Sequence, residues 1–189
     1  RTETAAPNAT IRTTVSSARR RARAFGMNVI ACSRTAKGAD EFVERVGDMR
    51  EFDAVLRASD FILVGMPLDD ASRGLIDARA FTLMKPNAVI INPSRGPIIE
   101  EEALYRALKE KRIGGAVIDV WYQYPAPGES DAAPSRFPFH ELDNIIMTPH
   151  ASAWTMHQIQ QRCAIITGNL QRLARGETLI NVVHAPPAR

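Results

Sequence analysis

Five short runs rich in Val, Ile, Leu and Phe recur at nearly even spacing, and this spacing limits the fold more than any other feature of the chain. The runs cover residues 28–32, 61–65, 88–92, 116–119 and 145–148. Their starts lie about 27 to 33 residues apart, close to the length of a strand–helix–strand unit. Because the runs are apolar throughout rather than alternating, helices should cover both faces of the sheet. The sequence therefore predicts an α/β fold with a doubly wound, mostly parallel sheet.

Helical signals fill the segments between these runs. Asp77 is a predicted N-cap for a helix that Pro86 stops. Residues 100–111 begin with acidic side chains, which the helix dipole favours at an N-terminus. A final amphipathic helix is predicted over residues 155–175, followed by Gly176.

The composition agrees with this fold and excludes other classes of protein. The chain has 189 residues, of which 45% are hydrophobic and 24% are charged, as in a globular domain with a sizeable core. Its longest apolar runs are four or five residues, far short of the roughly 20 that a membrane-spanning helix needs. Cys32 and Cys163 are too few for a disulfide framework or a cysteine-based metal site. We expect a cytoplasmic protein without a metal or a membrane partner.

The positive charge of the chain raises the question of a nucleic-acid partner. The formal net charge is +3, and the densest basic cluster has four arginines within residues 19–23. Alanines lie beside these arginines in a segment with a helical pattern, so a solvated helix face explains the cluster. We expect no nucleic-acid partner.

The residues directly after the apolar runs are the candidate site residues, because ligands of doubly wound sheets bind beyond the carboxyl ends of the strands. As a set, these residues are unusually polar and specific for structural turns. They are Ser33, Arg34, Met66, Pro67, Pro93, Ser94, Arg95, Asp119, Thr148, Pro149 and His150.

Several motifs occur in a fixed order across these positions. They include Met66-Pro67-Leu68, Asn92-Pro93-Ser94-Arg95-Gly96, Asp119-Val120-Trp121 and Thr148-Pro149-His150. Their order and spacing resemble the nucleotide-binding domain of the D-isomer-specific 2-hydroxyacid dehydrogenases over about residues 24–181. The resemblance implies a Rossmann-like fold, a homodimer, and reduction of a 2-oxo acid of the glyoxylate or hydroxypyruvate type by NAD(P)H. The alternative to an enzyme is a non-catalytic nucleotide-sensing or protein-binding module, like the corepressors that have the same fold.

The resemblance implies a catalytic set of Arg95, His150 and Tyr124. Arg95 would bind the substrate carboxylate and polarise the carbonyl, because the guanidinium offers a planar fork of donors. His150 would donate the proton. Tyr124 stands where the family has a glutamate that contacts the histidine; a hydroxyl orients the ring but stabilises imidazolium less than a carboxylate. We expect a shifted pH optimum or weak activity. Other carboxylates that can substitute for the glutamate are Glu129, Asp131 and Glu141.

The resemblance also assigns the cofactor-binding residues. Asp119 would accept a hydrogen bond from the nicotinamide carboxamide. Backbone contacts to the cofactor are expected at Met66, Pro67, Pro93 and Ser94. Ser33 and Arg34 follow the run at residues 28–32, where a small polar residue and an arginine suit the 2′-phosphate of NADP. We therefore expect NADP, with NAD as the alternative.

The N-terminal part departs from the family pattern. The three glycines of the phosphate-binding turn would fall at Thr10, Arg12 and Val15, and residues 1–8 form no apolar first strand. The first strand and the glycine loop are thus expected to be missing or altered. A fragment or a damaged reading frame is favoured over a degenerate paralogue. The predicted divisions are an atypical segment 1–17, a nucleotide-binding domain 18–178, and a tail 179–189 that is a remnant of the return to a substrate domain.

Overall fold

The computed structural model describes residues 8–11, 16–34, 42–128 and 132–182. Within these residues, seven strands form one sheet in the order β3-β2-β1-β4-β5-β6-β7, and every neighbouring pair is parallel. The strands are β1 Asn8–Ile11, β2 Asn28–Cys32, β3 Arg45–Gly47, β4 Phe61–Leu63, β5 Val89–Asn92, β6 Gly115–Ile118 and β7 Ile145–Met147. The α-helices are α1 Ser16–Ala24, α2 Phe52–Ala58, α3 Ala78–Leu83, α4 Glu101–Lys109 and α5 Met156–Ala174. The predicted α/β fold is confirmed, and each of the five apolar runs contains a strand.

The first strand, which the sequence predicted to be missing or altered, is present in the structure. β1 is present in the interior of the sheet, where Thr10 pairs with Ile30 of β2 and with Ile62 of β4. Pairing on both sides satisfies the backbone donors and acceptors of β1, and this stabilisation does not require an apolar run. Thr10 is therefore a strand residue and not part of a phosphate-binding turn. Arg12 and Val15, the other two predicted positions of that turn, lie outside the described residues.

The core lies between the sheet and its helices. The larger cluster joins the central strands to α2, α3 and α4, and its most buried large side chains include Leu56, Ile90, Leu104, Leu108 and Ile118. A smaller cluster of Val29, Ala31 and Val43 packs against the partly buried alanines Ala18 and Ala22 of α1. The arginines of α1 lie on a helix, as predicted for the basic cluster.

The ends of the predicted helices follow local capping signals. The Asp77 carboxylate accepts the Ala80 N–H at 2.8 Å and begins α3. Thr155 accepts the Gln158 N–H at 3.2 Å and begins α5. Gly176, with a φ of +67°, follows the last turn of α5. Among the helices of the described residues, none combines the length and the apolar character that spanning a bilayer requires.

The chain divides into two compact units, residues 1–150 and residues 151–189. The first unit contains the sheet and α1 to α4. The second contains α5 and the segment after it, in which the Asn169 side chain exchanges two hydrogen bonds of 3.0 Å with the Ile180 backbone. The domain bounds at residues 18 and 178 stay a prediction.

Candidate functional site

An open cleft of about 710 Å³ lies at the carboxyl ends of β4 and β5. Its volume is within the range of about 300–1,000 Å³ that is common for ligand pockets. It is lined by residues 64–68, which follow β4, and by residues 93–95, which follow β5. Five predicted site residues are therefore brought together here: Met66, Pro67, Pro93, Ser94 and Arg95.

A buried amide organises the loop after β5. Asn92 is 1% exposed, and its Oδ1 accepts the Ser94 N–H at 3.0 Å and the Ser94 hydroxyl at 2.9 Å. Its Nδ2 donates to the Arg95 carbonyl at 2.9 Å. Next to Arg95, Gly96 packs so closely that a Cβ atom would overlap the backbone carbonyl of Trp121. The backbone on both sides of Arg95 is thus held in place.

Arg95 presents an exposed positive charge at this cleft. Its backbone is extended, and one guanidinium nitrogen donates to the Ser94 carbonyl at 2.6 Å. Within the described residues, Arg95 forms no ion pair. The remaining donors of the guanidinium are accordingly suited to bind an anion.

His150 and Tyr124 are brought together beyond β7. The Tyr124 hydroxyl oxygen lies 3.1 Å from His150 Nδ1 and accepts the Trp121 N–H at 3.1 Å. His150 has a φ of +56°, an uncommon backbone conformation for a residue with a side chain. Of the other carboxylates considered, Glu141 is exposed in a short helical turn, whereas Glu129 and Asp131 lie outside the described residues. Among the described candidates, Tyr124 contacts the imidazole.

Asp119 links the ends of three strands. The sheet register aligns Asn92 with Ile118 and Ile118 with Met147, so the residues that follow β6 and β7 are neighbours. The buried Asp119 carboxylate accepts a hydrogen bond from the Thr148 hydroxyl at 2.5 Å. The Asp119 backbone N–H donates to the Asn92 carbonyl at 3.1 Å. A buried carboxylate needs such partners because desolvation of its charge is costly.

The end of β2 holds the two residues predicted to select the cofactor. Ser33 is fully buried and its N–H donates to the Gly47 carbonyl at 3.0 Å, so the structure does not expose its side chain to a ligand. Arg34 is exposed and forms a 2.5 Å ion pair with Asp69, which lies in the loop after β4. Of the two, Arg34 is the side chain available to contact a ligand.

Comparison with known proteins identifies the family. Residues 15–152 match the family described as D-isomer specific 2-hydroxyacid dehydrogenase, NAD binding domain. The chain belongs to this family. The resemblance predicted from the motif order is confirmed.

Known proteins are similar to this chain in both sequence and structure. The chain is 37% identical over 177 residues to a D-3-phosphoglycerate dehydrogenase of Methanocaldococcus jannaschii, covering 88% of this chain and 30% of the relative. It is 35% identical over 166 residues to a glyoxylate reductase of Thermococcus litoralis, covering 87% and 47% respectively. An NADPH-dependent glyoxylate/hydroxypyruvate reductase of Sinorhizobium meliloti, solved with NADP and sulfate, superposes with a TM-score of 0.75 at 27% identity, covering 94% of this chain and 55% of that one. The chain spans about half or less of these relatives' lengths.

The site fits a nicotinamide dinucleotide. The cleft borders β4, at the point where the strand order reverses, which is where doubly wound sheets bind such cofactors. The exposed Arg34 and the carboxylate of Asp119 supply a donor and an acceptor on the same edge of the sheet. The described residues contain no group of three His, Cys, Asp or Glu side chains that could hold a metal ion.

The contacts of three polar residues at this edge were not predicted from the sequence, although Thr148 was among the candidate site residues. Asn92 and Thr148 end apolar runs, and a polar residue in that position was a usable signal. Asp69 had no such signal, because its contact with Arg34 depends on the path of two separate loops.

Proposed function

We propose that this chain is the nucleotide-binding part of an NAD(P)-dependent oxidoreductase that reduces a 2-oxo acid of the glyoxylate or hydroxypyruvate type to the D-2-hydroxy acid. One observation carries the proposal. An exposed guanidinium, a buried carboxylate and an imidazole follow the adjacent strands β5, β6 and β7, as Arg95, Asp119 and His150. Anion binding, cofactor orientation and proton donation are thereby assigned to one edge of one sheet.

Arg95 binds the substrate in this proposal. A guanidinium can hold a carboxylate with two parallel hydrogen bonds and direct positive charge at the neighbouring carbonyl oxygen. The Asn92 side chain donates a hydrogen bond to the Arg95 backbone carbonyl and so fixes the backbone there, which limits the positions that the Arg95 side chain can reach. The Arg95 guanidinium also stabilises the negative charge that develops on the substrate's carbonyl oxygen during reduction.

His150 donates the proton to that oxygen, and Tyr124 positions its ring. The Tyr124 oxygen accepts the Trp121 N–H and keeps a second lone pair for the Nδ1–H of a protonated imidazole. Nε2 then remains available to transfer its proton to substrate. A neutral hydroxyl offsets the charge of imidazolium less than a carboxylate does, so turnover should be limited to lower pH than with a glutamate at residue 124.

Asp119 and Arg34 bind the two ends of the cofactor in this proposal. When bound, the reduced nicotinamide cofactor supplies a hydride to the carbonyl carbon. The Asp119 carboxylate accepts from the carboxamide, and Arg34 binds the 2′-phosphate, which favours NADP over NAD. The residues that line the cleft contact the cofactor through backbone atoms: Met66, Pro67, Pro93 and Ser94. The NADP complex of the Sinorhizobium meliloti relative supports this preference.

A fluorescence titration tests nucleotide binding. Trp121 is buried beside the site, with its indole N–H donating to the Thr148 carbonyl at 2.9 Å, so energy transfer to a bound reduced nicotinamide is expected. The purified chain should bind NADPH saturably and more tightly than NADH. Binding without turnover of glyoxylate or hydroxypyruvate would favour the non-catalytic nucleotide-sensing module. A folded chain that binds neither nucleotide would contradict the oxidoreductase and the nucleotide-sensing module, but not a protein-binding module.

We further propose a cytoplasmic homodimer whose contact region includes α4 and the loop after Tyr124. Glu101 holds part of this loop, since its Oε1 accepts the Ser135 hydroxyl at 2.7 Å and the Arg136 N–H at 3.0 Å. A loop held in this way loses little further entropy when a second subunit packs on it. Light scattering should give twice the mass of the chain, and a monomer at all concentrations would contradict the dimer.

A further inference from the structure

The ion pair of Arg34 and Asp69 joins two loops on the ligand-binding edge of the sheet. Arg34 follows β2, Asp69 follows β4, and these strands lie on either side of β1. The guanidinium and carboxylate are 2.5 Å apart, with side chains 42% and 38% exposed. A carboxylate thus contacts the same guanidinium that the proposed function assigns to the 2′-phosphate.

Asp69 is held in position by its own loop. Its Oδ1 accepts the Ser72 N–H at 3.0 Å, and its N–H donates to the Ser72 hydroxyl at 2.8 Å. The Ser72 hydroxyl also donates to the Pro67 carbonyl at 2.8 Å, which ties this loop to the cleft lining. Arg34 and then Ser72 lower the pKa of the Asp69 carboxyl, so it is charged at neutral pH.

We propose that Asp69 is a specificity-determining residue that competes with the 2′-phosphate of NADP for Arg34. The proposal rests on the role of Arg34 given under the proposed function. A phosphate group at this position must share or displace a carboxylate that carries the same sign of charge, which weakens NADP binding. The 2′-hydroxyl of NAD is neutral and is not repelled. Asp69 therefore makes the affinities for NADP and NAD more similar than they would be with Arg34 alone.

The substitution Asp69→Asn tests this role. Asparagine keeps an oxygen acceptor for the Ser72 N–H and removes only the charge. The Kd for NADPH should fall by about three- to tenfold, the effect of one partly exposed charge, while the Kd for NADH changes by less than about twofold. Both constants come from the same Trp-excited fluorescence titration, and circular dichroism checks the fold.

Asp70→Asn is the matched control. Asp70 is adjacent and exposed, and its loss changes the net charge of the chain by the same amount. An NADPH affinity that rises equally in Asp70→Asn would overturn the proposal, because the effect would then be general electrostatics. An unchanged or weaker NADPH affinity in Asp69→Asn would overturn it as well.

A second variant and a smaller competitor test the same contact without the nicotinamide half of the cofactor. Asp69→Ser retains a side-chain acceptor for the loop and should tighten NADPH binding in the same way. Adenosine 2′,5′-bisphosphate, used as a competitor, should gain affinity in both variants, whereas adenosine 5′-monophosphate should not. If the wild-type chain binds NADPH but no variant gains affinity, this proposal alone fails. If the wild-type chain binds neither nucleotide, both the proposed function and this proposal fail.

Discussion

Replacing Arg95 with alanine should lower kcat/KM for glyoxylate and hydroxypyruvate by about 100- to 1,000-fold. This loss corresponds to about 3–4 kcal/mol of transition-state stabilisation, which is the usual effect of removing one donor that opposes a developing oxyanion. The guanidinium is exposed, and no other charged side chain is among the described residues that line the cleft, so none of them can replace it. The measurement is the steady-state consumption of NADPH with each 2-oxo acid, followed by the absorbance of reduced nicotinamide at about 340 nm.

Two comparisons separate a chemical role of Arg95 from a structural one. Arg95→Lys keeps the charge but loses the planar fork, so it should recover only part of the activity. Arg57→Ala, on the exposed surface of α2, should leave turnover unchanged. Nucleotide Kd should be similar in all three variants. If Arg95→Ala turns over substrate within about threefold of the wild type, the assignment of Arg95 is wrong.

Replacing His150 with alanine should lower kcat by about 100- to 10,000-fold, the range usual for loss of a general acid. The NADPH Kd should hardly change, since His150 acts on the substrate oxygen. Stopped-flow or steady-state turnover at saturating NADPH measures the effect. Turnover that survives the substitution would show that another group donates the proton.

Tyr124 variants test whether the hydroxyl positions that imidazole. Tyr124→Phe keeps the ring and removes the contact of 3.1 Å to Nδ1, so it should lower kcat less than His150→Ala does. Tyr124→Glu should extend turnover to higher pH, because a carboxylate favours the protonated imidazole that acts as the acid. A pH–rate profile that is the same in Tyr124→Glu and in the wild type would argue against a positioning role.

The parts of the fold that the sequence predicted depend on local patterns. The apolar runs identify β2 and β4 to β7 because strands covered on both faces have no polar side to interrupt the run. The limits of α3 and α5 follow from Asp77, Thr155 and Gly176, which act on groups within a few residues of themselves. β1 and β3 contain polar residues and lie outside the apolar runs, and pairing with their neighbours determines both.

The sequence by itself determined the family and the parallel sheet, and it predicted Arg95, Asp119 and His150 as site residues, because strand ends and motif order can be read along the chain. Only the tertiary structure decided which side chains meet. The Thr148–Asp119 hydrogen bond depends on the register of β6 and β7, and the Arg34–Asp69 ion pair depends on two loops on either side of β1. Such contacts join residues far apart in the chain, and they exist only after folding has offset the entropy of bringing those segments together.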